Sequence, residues 1–138
     1  MKKLIFTIWM LILFFIVSFE INAQWVQMNI GTVNISALEN DGNFLLAGTN
    51  SGFYLSSDYG ATWNQRNDGL TNLSIYDLAL SGNNLIAGTG DGVFLSTNQG
   101  QNWHIVSSNI LWHFAVSGSY INATNGFFIF RSIDFGNT

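Results

Sequence analysis

The feature that most constrains this chain is an internal repeat. Positions 35–66 align without a gap on positions 75–106, and the two segments are identical at 13 of the 32 aligned positions. A third, shorter copy covers positions 111–138. A unit of this size that recurs within one chain is typical of folds in which similar structural modules stack on one another.

Each copy alternates short apolar runs with turns rich in Gly and Asn, which predicts strands rather than helices. The first copy has four such runs, at positions 35–38, 44–47, 53–55 and 63–65. Gly and Asn readily adopt the positive φ angles that tight hairpins need, and no segment after position 23 keeps a helical periodicity. Four short antiparallel strands in each repeat predict an all-β fold made of the four-stranded blades of a β-propeller.

A sharper motif lies between the third and fourth predicted strands of each copy. It reads SSDYGATW at positions 56–63, STNQGQNW at 96–103 and SIDFGNT at 132–138. This pattern resembles the Asp-box, or BNR, repeat S-x-D-x-G-x-T-W of sialidases, sortilin-type receptors, photosystem II assembly factors and many secreted bacterial propellers. The residues that carry the resemblance are Ser56, Asp58, Gly60, Thr62 and Trp63, then Ser96, Asn98, Gly100 and Trp103, and finally Ser132, Asp134 and Gly136.

The resemblance implies a structural role for these turns. A short carboxylate such as Asp58 can accept hydrogen bonds from the amides of its own loop, and Gly60 permits a backbone conformation that a Cβ would oppose. Trp63 offers a large apolar plate for packing between blades. Asn98 keeps one acceptor oxygen but lacks the charge, so the second turn is expected to be weaker. In the family this turn lies away from the ligand face, and we expect no catalytic or metal-binding role for it.

Positions 1–23 have the order of a secretory signal peptide. Lys2 and Lys3 precede an apolar stretch from Leu4 to Phe19, and Ala23 supplies a small residue for cleavage. An uncleaved membrane anchor is the alternative, although the apolar stretch is shorter than the ~20 residues of a typical span. The predicted organisation is therefore a signal peptide at 1–23 and an incomplete propeller at 24–138, which is secreted, periplasmic or on the cell surface.

About three repeats follow the signal peptide, whereas closed propellers have about 4–8 blades. Trp25 precedes Trp63 by nearly one repeat length, so positions 24–27 resemble the outermost strand of a blade that lacks its other strands. The sequence also ends one position before the tryptophan that its third motif predicts. We favour an N-terminal fragment whose ring is closed by further blades. The alternative is a short chain that closes its ring by homo-oligomerisation.

Composition narrows the function classes. The chain has 4 Lys and Arg against 8 Asp and Glu, a net charge of −4 and no Cys. The acidic balance opposes a nucleic-acid interface, and the absence of Cys excludes a disulfide framework and a thiolate metal site. A sialidase-type site needs an arginine cluster, and only Arg66 and Arg131 follow the signal peptide. No metal-ligand spacing surrounds His104 or His113. We therefore predict no catalytic residues, no metal and no cofactor.

A ligand face is predicted where the first strand begins in copies two and three. Tyr76 and Trp112 occupy the same register there, beside Asp77 and His113. In a propeller this point lies near the mouth of the channel, opposite the Asp-box turns. Aromatic plates beside polar groups suit sugar rings or peptide side chains. The alternative is that the rings pack between blades, and Ser36 at this register in the first copy weakens the idea of a repeated site.

The sequence thus predicts an exported, non-catalytic propeller scaffold that binds protein or glycan. The alternative is a fragment of a sialidase-like or other glycoside hydrolase whose catalytic residues lie in further blades. The expected core consists of Leu38, Leu45, Ala47, Leu55, Trp63, Leu78, Leu80, Leu85, Ala87, Leu95, Trp103, Phe114 and Val116.

Overall fold

The computed structural model describes residues 25–135, which form eleven strands and no helix. Accordingly, nothing in this range is a helix long and apolar enough to span a membrane. The strands are β1 Ile35–Asn40, β2 Leu45–Thr49, β3 Gly52–Ser56, β4 Asn64–Gln65, β5 Ile75–Ser81, β6 Asn84–Thr89, β7 Gly92–Ser96, β8 His104–Ser107, β9 His113–Ser117, β10 Tyr120–Thr124 and β11 Ile129–Ser132. The all-β prediction is confirmed.

The strands form three antiparallel sheets that follow the three repeats. Their orders are β1-β2-β3-β4, β5-β6-β7-β8 and β9-β10-β11, and we call these sheets blades 1, 2 and 3. Corresponding residues pair in each blade: Leu46 faces Leu55, Ile86 faces Leu95, and Asn122 faces Arg131. Within the described residues, β11 has no neighbour on the side where β4 and β8 pair in the other blades.

Recurrent turn chemistry explains part of the repeat. Thr49 is buried and donates its hydroxyl to the carbonyl of Gly52 over 2.8 Å, which closes the turn between β2 and β3. Thr89 makes the same bond to Gly92 over 3.1 Å in blade 2. A buried hydroxyl is costly unless it has a partner. The threonine and glycine are therefore both required at this turn, and both are identical in the two copies.

The core lies between the blades in two clusters, and the inner strands β1, β5 and β9 lie side by side. Hydrogen bonds join these inner strands. Ser36 Oγ in β1 donates to the carbonyl of Ile75 in β5 over 2.6 Å, and the amide of Phe114 in β9 donates to Asp77 Oδ2 in β5 over 2.7 Å. The blade 1–2 cluster includes Leu46, Phe53, Leu55, Leu78, Leu85, Phe94 and Trp103. The blade 2–3 cluster includes Ile86, Val93, Leu95, Leu111, Ile121 and Ala123.

The core prediction was wrong for two residues. Leu38 is 61% exposed, whereas its counterpart Leu78 is 2% exposed because blade 1 covers it. Blade 1 is the first of the described blades and packs only against blade 2, so no blade covers the side of blade 1 on which Leu38 lies. Val116 is also exposed. Its counterpart Leu80 packs with Phe44 at the blade 1–2 cluster, but the residue that corresponds to Phe44 in blade 2 is Asn84. Leu45, Trp63, Leu80 and Phe114 are partly exposed, and the remaining predicted core residues are buried.

The N-terminal segment does not form the outer strand that its sequence resembles. Residues 25–34 have no regular secondary structure, and Trp25 is 100% exposed. In the described range this segment is not part of any of the three sheets. The segment nevertheless contacts blade 1, since the Met28 sulfur occupies the space that a Cβ at Gly60 would require. The predicted signal peptide and Gln24 lie outside the described residues.

Candidate functional site: Asp-box turns and an aromatic face

We name the turns at positions 56–63, 96–103 and 132–138 Asp-box turns after the motif that they resemble. The first of these turns is closed by a compact hydrogen-bond network. Asp58 Oδ1 accepts from the Ser56 hydroxyl and from the Thr62 amide, each over 2.8 Å, and Oδ2 accepts from the Thr62 hydroxyl over 2.6 Å. The buried Ser56 hydroxyl also accepts from the amide of Gly60 over 2.8 Å. Both oxygens of the Asp58 carboxylate therefore accept hydrogen bonds from residues of the same turn, and these bonds compete with any bond to a ligand or a metal.

Backbone conformation recurs in the three turns. Tyr59, Gln99 and Phe135 have φ angles of 58°, 58° and 61°, and Gly60 and Gly100 follow with 88° and 78°. Two successive residues with positive φ are costly for residues with a Cβ, which explains the glycine in the motif. The third turn keeps the bond from the Ser132 hydroxyl to Asp134 Oδ1 over 2.8 Å. Gly136 lies outside the described residues.

The second turn replaces the charge with a pair of amides. Asn98 Oδ1 accepts from the Ser96 hydroxyl over 2.9 Å and from the Asn102 amide over 3.0 Å. Its Nδ2 donates to Asn102 Oδ1 over 3.1 Å, in the place of the bond between Thr62 and Asp58. The two departures from the motif are therefore complementary: an amide donor at 98 meets an amide acceptor at 102.

Because the first turn is closed by the Asp58 carboxylate, the stability of the fold should decrease when this group is protonated at acid pH. Bonds from the Thr62 side chain and amide, then from Ser56, lower the pKa of Asp58 from 3.8 to about 2. Because the folded pKa lies below the unfolded one, this contribution is complete above about pH 4 and is lost as pH falls through about 2. We expect Asp58→Asn to reduce the drop in Tm between pH 5 and pH 2. Asp68→Asn is the control, since no such network surrounds the Asp68 carboxylate among the described residues; an equal change in both variants would contradict the assignment.

Asp77 was predicted on the ligand face, but the structure uses it to join blades 2 and 3. Its Oδ2 accepts from the Phe114 amide over 2.7 Å, and its Oδ1 accepts from the Leu78 amide over 2.9 Å. The side chain is partly buried. Both oxygens are engaged with backbone amides, so Asp77 serves to position strand β9.

Glu39 is a neighbour of Asp77 that sequence reasoning did not pair with it. Partial burial, and then the charge of Asp77, raise the pKa of Glu39 above its usual range. The two residues lie on the adjacent inner strands β1 and β5. Glu39 and Asp77 are not at equivalent positions of the repeat, because Glu39 corresponds to position 79, two residues after Asp77. A comparison of equivalent positions therefore could not show that the two carboxylates are neighbours. No group of three or more His, Asp or Glu residues in the described part of the chain is arranged to hold a metal ion.

Tyr76 and Trp112 occupy equivalent places, as their register predicts. A Cβ added at Gly90 would lie 3.2 Å from the Tyr76 hydroxyl, and a Cβ added at Gly126 would lie 2.9 Å from Trp112 Cζ3. Each ring therefore lies against the turn between the second and third strands of its own blade. Both rings remain exposed, and His113 is exposed beside Trp112.

Two further aromatic side chains extend this surface, and sequence reasoning missed them. Phe127 is 85% exposed and Phe128 is 68% exposed, in the turn that contains Gly126. Asn125 Oδ1 accepts from their backbone amides over 3.1 and 3.0 Å, which orders the turn. The signal was present, because the first two copies have polar residue and glycine pairs, Ser-Gly and Asp-Gly, at this position. We call Tyr76, Trp112, Phe127 and Phe128 the aromatic face.

Comparisons with known proteins identify the fold. No protein-family model and no curated protein matches the sequence. Among solved structures, an ancestral GH74 enzyme matches 84% of this chain with a TM-score of 0.67 and 19% identity, and YCF48 bound to D1 peptide matches 82% with a TM-score of 0.52 and 14% identity. Both are β-propellers. The chain folds as β-propeller blades.

A computationally designed protein, Ika4, also matches 72% of this chain, with a TM-score of 0.56 and 16% identity. The chain spans 19% of the GH74 enzyme, 65% of Ika4 and 44% of YCF48. At such identities the likeness establishes the fold and nothing about activity.

The propeller geometry assigns the two sets of residues to opposite faces. The inner strands β5 and β9 begin at the face that holds the turns of Gly90 and Gly126, and the Asp-box turns follow the far ends of β3 and β7. The aromatic face and the Asp-box turns therefore lie at opposite ends of the blades. A groove of about 460 Å³ between blades 1 and 2 opens near the Asp-box turns and is lined by Phe44, Asn43, Asn83, Asn98, Gln99 and Gln101 among others.

Proposed function

We propose that this chain is a non-catalytic binding scaffold whose aromatic face takes a peptide segment of another protein. The observation that carries the proposal is the exposure of Phe127 and Phe128 beside the exposed ring of Trp112. Exposed apolar surface of this kind is costly in a soluble protein and commonly marks an interaction site. Aromatic side chains are also the residues that contribute most to protein interfaces.

The polar surroundings of this face favour a peptide with both apolar and basic side chains. Asp91 lies in the turn beside Tyr76, and its carboxylate accepts from the Thr71 hydroxyl over 2.6 Å and from Asn72 Nδ2 over 3.1 Å. The bonds from Thr71 and then Asn72 lower the pKa of Asp91, so the group is anionic at neutral pH. YCF48, a propeller of similar fold, is described as bound to a peptide, which supports peptide binding as a use of this architecture.

A glycan ligand is the second candidate, and it is favoured by the groove between blades 1 and 2. Side-chain amides of Asn43, Asn83, Gln99 and Gln101 line this groove beside the ring of Phe44. Amides that both donate and accept, next to an aromatic plate, match the hydroxyl groups and apolar faces of a sugar.

A hydrolase ranks below both binding functions. The pairing of Glu39 with Asp77 favours an acid and base pair, and the GH74 enzyme has the same fold. Asp77, however, is committed to two backbone amides, and neither carboxylate lines the groove between blades 1 and 2.

Export and membership of the Asp-box family complete the proposal. The charged and apolar pattern of residues 1–23 supports secretion. The hydrogen-bonded turns at Asp58, Asn98 and Asp134 support the Asp-box resemblance. An exported scaffold with its ligand face opposite the Asp-box turns is consistent with both.

The test is selection of ligands from a random peptide library and a glycan array, followed by affinity measurement with variants. For the selected peptides we expect Phe127→Ser with Phe128→Ser to weaken binding at least tenfold, about 1.4 kcal/mol, with Tm unchanged because both side chains are exposed. Tyr59→Ser is the matched control, since Tyr59 is an exposed ring in an Asp-box turn. Peptides that bind the double variant as tightly as the native chain would overturn the proposal. If ligands are found only on the glycan array, the peptide proposal is wrong and the groove between blades 1 and 2 becomes the candidate binding site.

A further inference from the structure

The groove between blades 1 and 2 combines an apolar lining with exposed side-chain amides. Phe44 and Leu80 belong to the apolar part, and both pack on the blade 1–2 cluster. The amides are four exposed side chains, those of Asn43, Asn83, Gln99 and Gln101. The volume of about 460 Å³ lies within the range of about 300–1,000 Å³ that is usual for small-molecule sites. We call this the amide groove.

The four amides are available to a ligand. None of these side chains donates or accepts a hydrogen bond within residues 25–135. Their neighbour Asn98 differs, because its Nδ2 donates to Asn102 Oδ1 over 3.1 Å inside the turn. Since every amide carries donors and an acceptor, the groove offers several uncommitted groups of both kinds in one place.

The backbone on both sides of the amide groove is held by hydrogen bonds. In the turn between β1 and β2, Asp41 Oδ1 accepts from the Asn43 amide over 2.9 Å. In the second Asp-box turn, the carbonyl of Gln99 accepts from Arg66 Nη1 over 3.1 Å. A fixed backbone lowers the entropy that is lost when a ligand binds. The amide side chains therefore project from turns that are already ordered.

Gln99 departs from the repeat at the place where it lines the amide groove. The corresponding residues of the other two Asp-box turns are Tyr59 and Phe135, and all three have nearly the same φ angle, between 58° and 61°. The turn therefore does not require an amide at this position. Phe44 is likewise replaced by Asn84 in blade 2. Residue types that the repeat does not dictate are expected where a ligand binds.

The charges of the amide groove favour an uncharged ligand. Among the described residues that line it, Asp41 is the only charged one, so an acidic sugar would meet a like charge and no cation. Asp41 Oδ2 accepts no hydrogen bond within the described residues and can take one from a hydroxyl, which is a charge-assisted bond. Sugar hydroxyls both donate to and accept from amides, and the apolar face of a sugar ring packs on an aromatic ring such as Phe44.

We propose that the amide groove binds an uncharged sugar unit of a polysaccharide while the aromatic face holds a peptide. The ligand class rests on the glycan candidate of the proposed function, whereas the use of two sites at once goes beyond it. Because the groove and the aromatic face lie at opposite ends of the blades, neither ligand obstructs the other. The chain then links a neutral polysaccharide to a protein.

Electrophoresis in native gels that contain a polysaccharide tests the site. The probes are a soluble β-glucan, a xylan and a galactomannan, with polygalacturonate as the acidic counterpart. We expect at least one neutral polysaccharide to retard the chain and polygalacturonate to have no effect. Gln99→Ala with Gln101→Ala should weaken this binding by about tenfold or more, the effect of losing one or two hydrogen bonds. Tm should not change, because both side chains are exposed and unbonded within the described range.

Asn64→Ala with Asn109→Ala is the matched control, since it removes two exposed amides that do not line the amide groove. Phe127→Ser with Phe128→Ser should also leave the retardation unchanged. Retardation by none of the neutral polysaccharides, an equal loss in the control, or a loss in the phenylalanine variant alone would each overturn the groove site. A chain that binds library peptides but no polysaccharide keeps the peptide function and lacks this site. The reverse result refutes the peptide function and, with it, the linking role.

Discussion

Trp103→Ala is expected to lower the free energy of unfolding by about 3–5 kcal/mol, the usual cost of removing a buried tryptophan from a core. The ring lies between blades 1 and 2, where it meets Phe53 edge-on and where its Nε1 donates to the carbonyl of Arg66. The truncation removes the apolar contacts, leaves a cavity and deprives that carbonyl of its donor. All three effects have the same sign, so this substitution should be among the most damaging in the chain.

Trp63→Ala is the matched control for this prediction. The sequence motif treats the two tryptophans as equivalent, but Trp63 is partly exposed and its buried Nε1 finds no acceptor in residues 25–135. Its replacement removes less buried apolar surface and relieves an unpaired donor, so the loss should be clearly smaller. Urea denaturation followed by far-UV circular dichroism measures both losses. Equal losses, or a loss of less than about 1 kcal/mol for Trp103→Ala, would refute the assignment of Trp103 as the plate that joins the two blades.

The contrast between Trp63 and Trp103 shows which features of the fold can be predicted from the sequence. Strands and Asp-box turns are local: every partner of Asp58 in its turn lies between Ser56 and Thr62. Turn residues and apolar runs therefore suffice to predict them, and the run at 53–55 matches β3 Gly52–Ser56. Repetition then extends the assignment from one blade to the next.

Burial was not predictable in the same way, because it depends on which blade stands beside a residue. Leu38 and Leu78 are identical in type and register, yet one is exposed and the other buried. The sequence repeat implies equal environments, whereas the first and last blades of a stack have one flank that no described blade covers. The error at Leu38 therefore follows directly from treating all repeats as interior ones.

The candidate site was predictable only in part. The register of Tyr76 and Trp112 was visible in the alignment, and the structure places both rings against equivalent turns. The link from Asp77 to Phe114 and the closeness of Glu39 to Asp77 depend on how neighbouring inner strands are offset. No property of a single repeat encodes that offset. Phe127 and Phe128, by contrast, were visible as a departure from the polar turns of the first two copies.

Gly69→Ala is the second substitution from which we expect a large loss of stability. Gly69 lies in the connection from blade 1 to blade 2 and has a φ angle of +91°, which disfavours any residue with a Cβ. A Cβ built there would overlap the carbonyl oxygen of Trp103. Beside it, the carbonyl of Asp68 accepts from the Trp103 amide over 2.8 Å. The alanine would therefore force the connection away from the tryptophan backbone and break this bond.

The expected loss exceeds about 2 kcal/mol, because backbone strain of about 1–2 kcal/mol adds to the loss of a hydrogen bond and the displacement of a packed loop. Gly82→Ala isolates the strain, since Gly82 has a φ angle of +59° and nothing lies within 4 Å of its added Cβ. Urea denaturation gives both values, and near-UV circular dichroism reports the environment of the tryptophans. If the two variants lose the same free energy, the close approach at Trp103 contributes nothing. If Gly69→Ala loses much more, the joint between blades 1 and 2 depends on the absence of a side chain at this position.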